Sequence, residues 1–223
     1  MTTLHNRSVL DNDIQQITAN IIKMTSLIDE GLEKALTALQ TRDISMAQTV
    51  IANDEIINQI RYEIEAECLR VLATQNPMAS DLRRVVASMH IANELERIGD
   101  HAAGIARLVA RMEGEAEIDS LHKLPKMAKR ASEMLNEAVQ AFVNNDAQAA
   151  KAMIRRDDKL DKQYNKLVRE SLEEMRDDDY IHRATYLIWV GHNLERIGDR
   201  AINIAERVIF MSTGEYVEIT EDL

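Results

Sequence analysis

One cysteine, Cys68, stands among the 223 residues, which excludes an intrachain disulfide and fits a reducing compartment. There are only two prolines, Pro77 and Pro125, and seven glycines, and aromatic residues make up 4% of the chain. So few breakers and β-formers, beside many Ala, Leu, Ile, Glu, Lys and Arg, exclude a sheet-rich fold and favour helix throughout. The longest uncharged run, about residues 184–194, falls far short of the roughly 20 apolar residues that a membrane span needs. Residues 1–7 lack the apolar core of a secretion signal. Cations are scarce too, 27 Lys and Arg against 38 Asp and Glu. A net charge of −11 argues against nonspecific attraction to nucleic acid or to an anionic membrane. No P-loop, GxSxG, HExxH or Rossmann glycine pattern occurs. These absences lead to the expectation of a soluble, cytoplasmic, all-α protein.

What the chain does have is one hexapeptide written twice, Leu95-Glu96-Arg97-Ile98-Gly99-Asp100 and Leu194-Glu195-Arg196-Ile197-Gly198-Asp199. Each copy sets two carboxylates four positions apart, on one face of a helix and one turn from each other. Paired carboxylates are costly to bury without a compensating positive charge. The nature of that charge bears directly on function.

The surroundings of the motif are also duplicated. Apolar or small residues at Leu10, Ile14, Ile17, Ile21, Met24, Ile28, Gly31 and Ala35 follow the spacing of a bundle seam. Asp43 and Ser45 can cap a second helix over residues 44–74. Asn76-Pro77 reads as a break, with Asn76 as N-cap and proline at the first position of a third helix over residues 78–112. Gly114 and the Asp119-Ser120 region mark a boundary, after which three more helical stretches follow. Adding 103 carries Leu32 to Leu135, Asp43 to Asp146 and Asp54 to Asp157, and adding 99 carries the first hexapeptide onto the second. Ten of the fifteen positions from Leu95 onward are identical between the copies. The offset changes in the connection before the third helix, where insertions fall naturally. The fold expected is two tandem three-helix bundles, residues 1–115 and 116–214, followed by a frayed acidic tail, 215–223.

In the third helix Leu82, Val86, Met89, Asn93, Glu96, Asp100 and Ala103 form one stripe, and Ile181, Thr185, Ile188, His192, Glu195, Asp199 and Ile202 form its copy. The carboxylates are therefore expected on or beside the packing seam. Gly99 and Gly198 each cost about 1 kcal/mol in a helix against alanine, which suggests close approach of another backbone or a ligand. The preceding helices carry matching acids, Asp157 with Asp161 in the second half and Asp54 with Asn58 in the first. Packed side by side, such helices gather three or four oxygen ligands at one level, as bundles do to hold divalent or trivalent metal ions. The competing reading is internal salt bridging by Arg97, Arg196 and other cations. His192 lies on the stripe and is a lesser ligand candidate, whereas His90 and His101 lie off it. Cys68 and the eleven methionines read as packing residues, and Lys123, Lys126, Lys129 and Arg130 as a solvated basic face.

With the two Leu-Glu-Arg-Ile-Gly-Asp copies, Ala79-Ser80-Asp81-Leu82-Arg83 and Asp157-Asp158-Lys159-Leu160-Asp161, the chain resembles the PhoU family over essentially its whole length. The resemblance implies two three-helix bundles whose acidic motifs hold multinuclear iron or zinc clusters. It places ligands at Glu96 with Asp100, Glu195 with Asp199, and Asp157 with Asp161. Asn58 departs from the pattern beside Asp54, so a weaker or less occupied first site is expected. The resemblance also implies a homodimeric negative regulator of phosphate uptake that contacts the ATPase subunit of a phosphate transporter and a phosphate-sensing histidine kinase.

The leading expectation is a non-enzymatic regulatory adaptor, with acidic clusters acting as metal-dependent stiffeners or as switches facing a partner or a membrane surface. One alternative is a di-metal oxidase or phosphohydrolase. Ferritin-like oxidases use Glu-x-x-His, but Gly99 and Gly198 stand three residues after the glutamates, and no water-activating group is evident. Another is a metal-free helical scaffold.

Overall fold

The protein is described from a computed structural model covering residues 2–114, 121–154 and 158–216. Helices α1 (Thr2–Thr41), α2 (Ile44–Gln75) and α3 (Ala79–Arg111) form the first bundle. Helices α4 (Leu124–Asn144), α5 (Ala147–Ile154), α6 (Asp158–Glu174) and α7 (Ile181–Thr213) form the second, with one 3₁₀ turn at Asp178–Tyr180. No strand occurs among the described residues. No helix there is long and apolar enough to cross a membrane.

Local signals set the helix ends. Asp43 caps α2 by accepting a hydrogen bond from the Met46 amide at 2.9 Å. Its copy Asp146 does the same for α5, accepting from the amides of Gln148 and Ala149. Arg42 and Asn145, again equivalent, both turn through positive φ. Asn76 behaves differently from expectation. It closes α2 as a left-handed C-cap (φ 45°), and α3 starts at Ala79 behind Met78. A residue before proline is disfavoured in the right-handed helical region, while asparagine tolerates the left-handed one, so the pair terminates a helix rather than starting the next.

The α1 seam is buried as its spacing predicts, from Leu10 through Ile17, Ile21, Met24 and Ile28 to Ala35. Burying one such side chain contributes about 1.5–3 kcal/mol. The bundles join through α3 against α7 and α1 against α4. Helices α3 and α7 run antiparallel: Glu94 accepts from Asn203 at 3.1 Å, His101 Nδ1 lies 3.0 Å from Asn193 Oδ1, and Arg83 donates to the Met211 carbonyl. The pairs Glu94–Arg200 (3.4 Å) and His101–Asn193 are images of each other under the repeat, since adding 99 converts Glu94 to Asn193 and His101 to Arg200. The duplication thus has a pseudo-twofold axis, on which one half uses an ion pair where the other uses a neutral one.

Candidate functional site

The hexapeptides lie midway along α3 and α7, where each helix meets the second helical segment of its own bundle. Their burial follows a neighbouring stripe to the one expected. The deepest residues of α3 are Val85, Ser88, Ile91, Leu95, Ile98 and Ala102, and those of α7 are Ala184, Leu187, Leu194, Ile197 and Ala201. Glu96 and Glu195 flank that seam half-buried, Asp199 likewise, and Asp100 is exposed. The upper stripe, Leu82 and Ile181 included, is partly open to solvent.

In the first bundle, Asp54 from α2 meets Asp100 and Glu96 from α3. The Asp54 side chain is only 12% exposed, and its carboxyl group can share a hydrogen bond with that of Asp100. Burial first, then the nearby Asp100 charge, hold Asp54 above the usual carboxylate range against the pull of Arg107, whose Nη2 lies 3.5 Å away. Glu96 is raised by burial and by Asp100, with Arg61 and Arg97 opposing. Gly99 makes this approach possible. A Cβ there would lie 3.0 Å from Ile57 Cδ1 and 3.6 Å from Asp54 Oδ1, so the close neighbour is a side-chain wall of α2 rather than a second backbone. The face of α2 toward α3 continues through Asn58 and Arg61 to Glu65, which accepts from Arg61 at 2.6 Å and from Asn93 at 3.2 Å. Glu65 escaped the sequence reading, although the spacing 54, 58, 61, 65 places it on the Asp54 face.

The second bundle differs. Asp157 lies outside the described residues, and Asp161 is close enough to add to the upward shift of Glu195. Burial is the main cause of that shift, followed by Asp199. Arg196 is partly the internal counter-ion that the competing reading requires. Its Nη1 lies 2.8 Å from Asp199 Oδ2 and its Nε 3.8 Å from Glu195 Oε2. His192 Nδ1 stands 3.4 Å from the same Glu195 oxygen, which nevertheless has no hydrogen-bond partner. Tyr164 and Val168 replace Arg61 and Glu65, and the Tyr164 phenol is raised by burial and then by Glu195.

Among the described residues, no three His, Cys, Asp or Glu side chains stand at metal-ligand spacing. The acids are therefore drawn together, two or three per bundle, without forming a closed ligand set. Asp54, Glu96 and Glu195 hold protons more readily than free carboxyls, first through burial and then through the neighbouring carboxylates, and a cation beside them would oppose both effects. Elsewhere Cys68 is buried, its thiol pushed up to about 12 by burial and then by Glu67. Lys129 and Arg130 pair with Glu133.

Two successive matches to the PhoU domain model cover residues 21–109 and 124–208, one per bundle, and each contains one hexapeptide. The chain belongs to the PhoU family. The phosphate-specific transport system accessory protein PhoU homolog of Clostridium acetobutylicum is 31% identical over 217 residues, covering 96% of this chain and 99% of that protein. The Streptococcus pneumoniae homolog of the same name is 35% identical over 215 residues, 96% of this chain and 99% of its own. The crystal structure of PhoU from Pseudomonas aeruginosa superposes with a TM-score of 0.85 at 34% identity, over 92% of this chain and 99% of that one. The tandem-bundle PhoU architecture is thus shared across nearly the full length.

Proposed function

We propose that this chain is a non-enzymatic regulator of phosphate uptake and phosphate-starvation signalling. In this reading it is a cytoplasmic homodimer that docks on the ATPase subunit of a phosphate transporter and on a phosphate-sensing histidine kinase. The observation that carries the proposal is likeness across both bundles to proteins named as accessory to phosphate-specific transport.

The acidic patches serve that role as metal sites. Asp54, Glu96 and Asp100 hold the ion in the first bundle, and Asp157, Asp161, Glu195 and Asp199 in the second. Support comes from the raised carboxyls of Asp54, Glu96 and Glu195 and from Glu195 Oε2, which has His192 and Arg196 nearby but accepts no hydrogen bond. Iron or zinc bound there supplies the missing positive charge and can reverse the local sign toward anions. The side chains themselves pull α2 toward α3, and α6 toward α7, once their mutual repulsion is offset. In the second site Arg196 must swing off Asp199, which its 44% side-chain exposure permits. Free phosphate has no direct route to such anionic patches, so any phosphate binding there requires metal first.

The test is removal of the gene from its bacterium, with a phosphate-starvation reporter read in phosphate-rich medium. Derepression reversed by the intact gene is the expected result; a reporter that stays silent contradicts the proposal.

A further inference from the structure

The two acidic patches differ in how much positive charge the fold itself supplies. On the face of α2 toward α3 stand Asp54, Asn58, Arg61 and Glu65, and the repeat converts Arg61 to Tyr164 and Glu65 to Val168. Arg107, which reaches Asp54 from α3, becomes Glu206. Two arginines of the first patch thus have no cationic equivalent in the second half.

These two are held differently. Arg107 has 48% of its side chain exposed and comes no closer to Asp54 than 3.5 Å. Arg61 has 15% exposed, and its Nη1 donates to Glu65 Oε1 at 2.6 Å. Its Cζ lies 4.1 Å from the centre of the Tyr62 ring. The same oxygen of Glu65 accepts from Asn93 of α3 at 3.2 Å. The charges of Arg61 and Glu65 both reach Glu96, in opposite senses. Arg61 therefore acts on one carboxylate of its own helix and on one of α3, two turns along α2 from Asp54.

We propose that Arg61 is the resident counter-ion of the first patch, neutralising Glu65 and Glu96 in place of a metal, whereas the second patch, with Tyr164 at that position, depends on a bound cation. A largely buried guanidinium cannot leave without stranding the Glu65 carboxylate, so its side chain excludes a metal at that level. The more exposed Arg196 has no such hold and can give way. The first bundle keeps only the Asp54 and Asp100 side of Glu96 for an ion. Metal supply then acts chiefly on the packing of α6 against α7. The counter-ion role of Arg61 stands on its own contacts; its consequence for metal rests on reading the patches as metal sites.

Melting of metal-free protein tests the first part. Arg61→Met keeps an apolar stem and removes the charge. It should lower the melting temperature by roughly 3–6 °C, and adding Glu65→Gln should restore most of that loss, because the stranded charge is gone. No loss, or a loss that Glu65→Gln does not restore, overturns the counter-ion role. If Arg61→Met does not fold, recovery of folding in the double variant supports the role and continued failure overturns it. Equilibrium dialysis of zinc tests the second part, in chains that also carry Glu195→Ala/Asp199→Ala. There Arg61→Met should bind additional zinc, and Glu65→Gln should abolish the gain. An unchanged zinc content, while the otherwise unaltered chain binds zinc, overturns the exclusion and leaves the metal reading in place. Zinc on no form at all overturns the metal reading and the exclusion together, and the melting temperatures still decide the counter-ion role.

Discussion

Asp29 and Ser132 hold the same position in the two repeats, and the Ser132 hydroxyl donates to the Asp29 carboxylate between α1 and α4. Residues related by the duplication thus meet at its axis, which passes through this bond and between α3 and α7. The two bundles are therefore joined by an internal counterpart of a dimer interface. Ser132→Ala removes a charge-assisted bond from a partly buried carboxylate and is expected to cost about 1–2 kcal/mol by urea unfolding, while leaving helix content unchanged. No measurable loss would show that the axis is held by apolar packing alone.

Glycines in the helices separate into open and filled positions. A Cβ at Gly31 would have Val50 Cγ1 at 3.9 Å, an ordinary contact, so Gly31→Ala should stabilise by about 0.5–1 kcal/mol. At Gly191 it would lie 2.3 Å from Leu167 Cδ2, with Tyr164 behind. Gly191→Ala forces α6 away from α7 and should cost about 1–3 kcal/mol despite the gain in helix propensity. Thermal melts of the two variants should move in opposite directions.

The raised carboxyls give a signed pH dependence. Asp54, Glu96 and Glu195 all bind protons more readily in the folded state, chiefly through burial. The folded chain therefore retains protons that the unfolded chain releases, so metal-free stability falls as pH rises from the ordinary carboxylate range through the raised values. At neutral pH the isosteric Asp54→Asn removes a like charge. It should raise the melting temperature of metal-free protein by roughly 2–4 °C, about 1 kcal/mol. A lower melting temperature would mean that the Arg107 pairing outweighs the repulsion.

Much of this was legible because duplication doubles every signal. Asp43 and Asp146 each cap a helix, and the hexapeptides fall at matching depths in α3 and α7. The stripe was misplaced because a 4-3 spacing fixes the period of a helix but not its rotation. Leu82, Val86 and Met89 are apolar yet lie at the edge, while small residues such as Ser88 and Ala92 occupy the true seam. Asn76 was assigned to the wrong helix end because asparagine serves both, and only the backbone angle distinguishes them. Glu65 and Arg61 were missed because their equivalents, Val168 and Tyr164, break the repeat that pointed to the other acids.

That break predicts unequal sites. The first bundle adds Glu65 but has Asn58 where the second has Asp161, and the second contains Arg196 bound to Asp199. Glu96→Ala/Asp100→Ala and Glu195→Ala/Asp199→Ala should lower bound metal by different amounts, with calorimetric titration of zinc giving two distinguishable affinities in the unaltered chain. A single class of identical sites would contradict this.

The most direct test of the central claim, that each acidic patch exists to hold a cation, is elemental analysis of untagged protein purified without added metal. The account predicts iron or zinc bound to the unaltered chain, reduced in each carboxylate pair variant and lost when both pairs are replaced. Metal at background in the unaltered protein, or content unchanged in the fourfold variant, would contradict it.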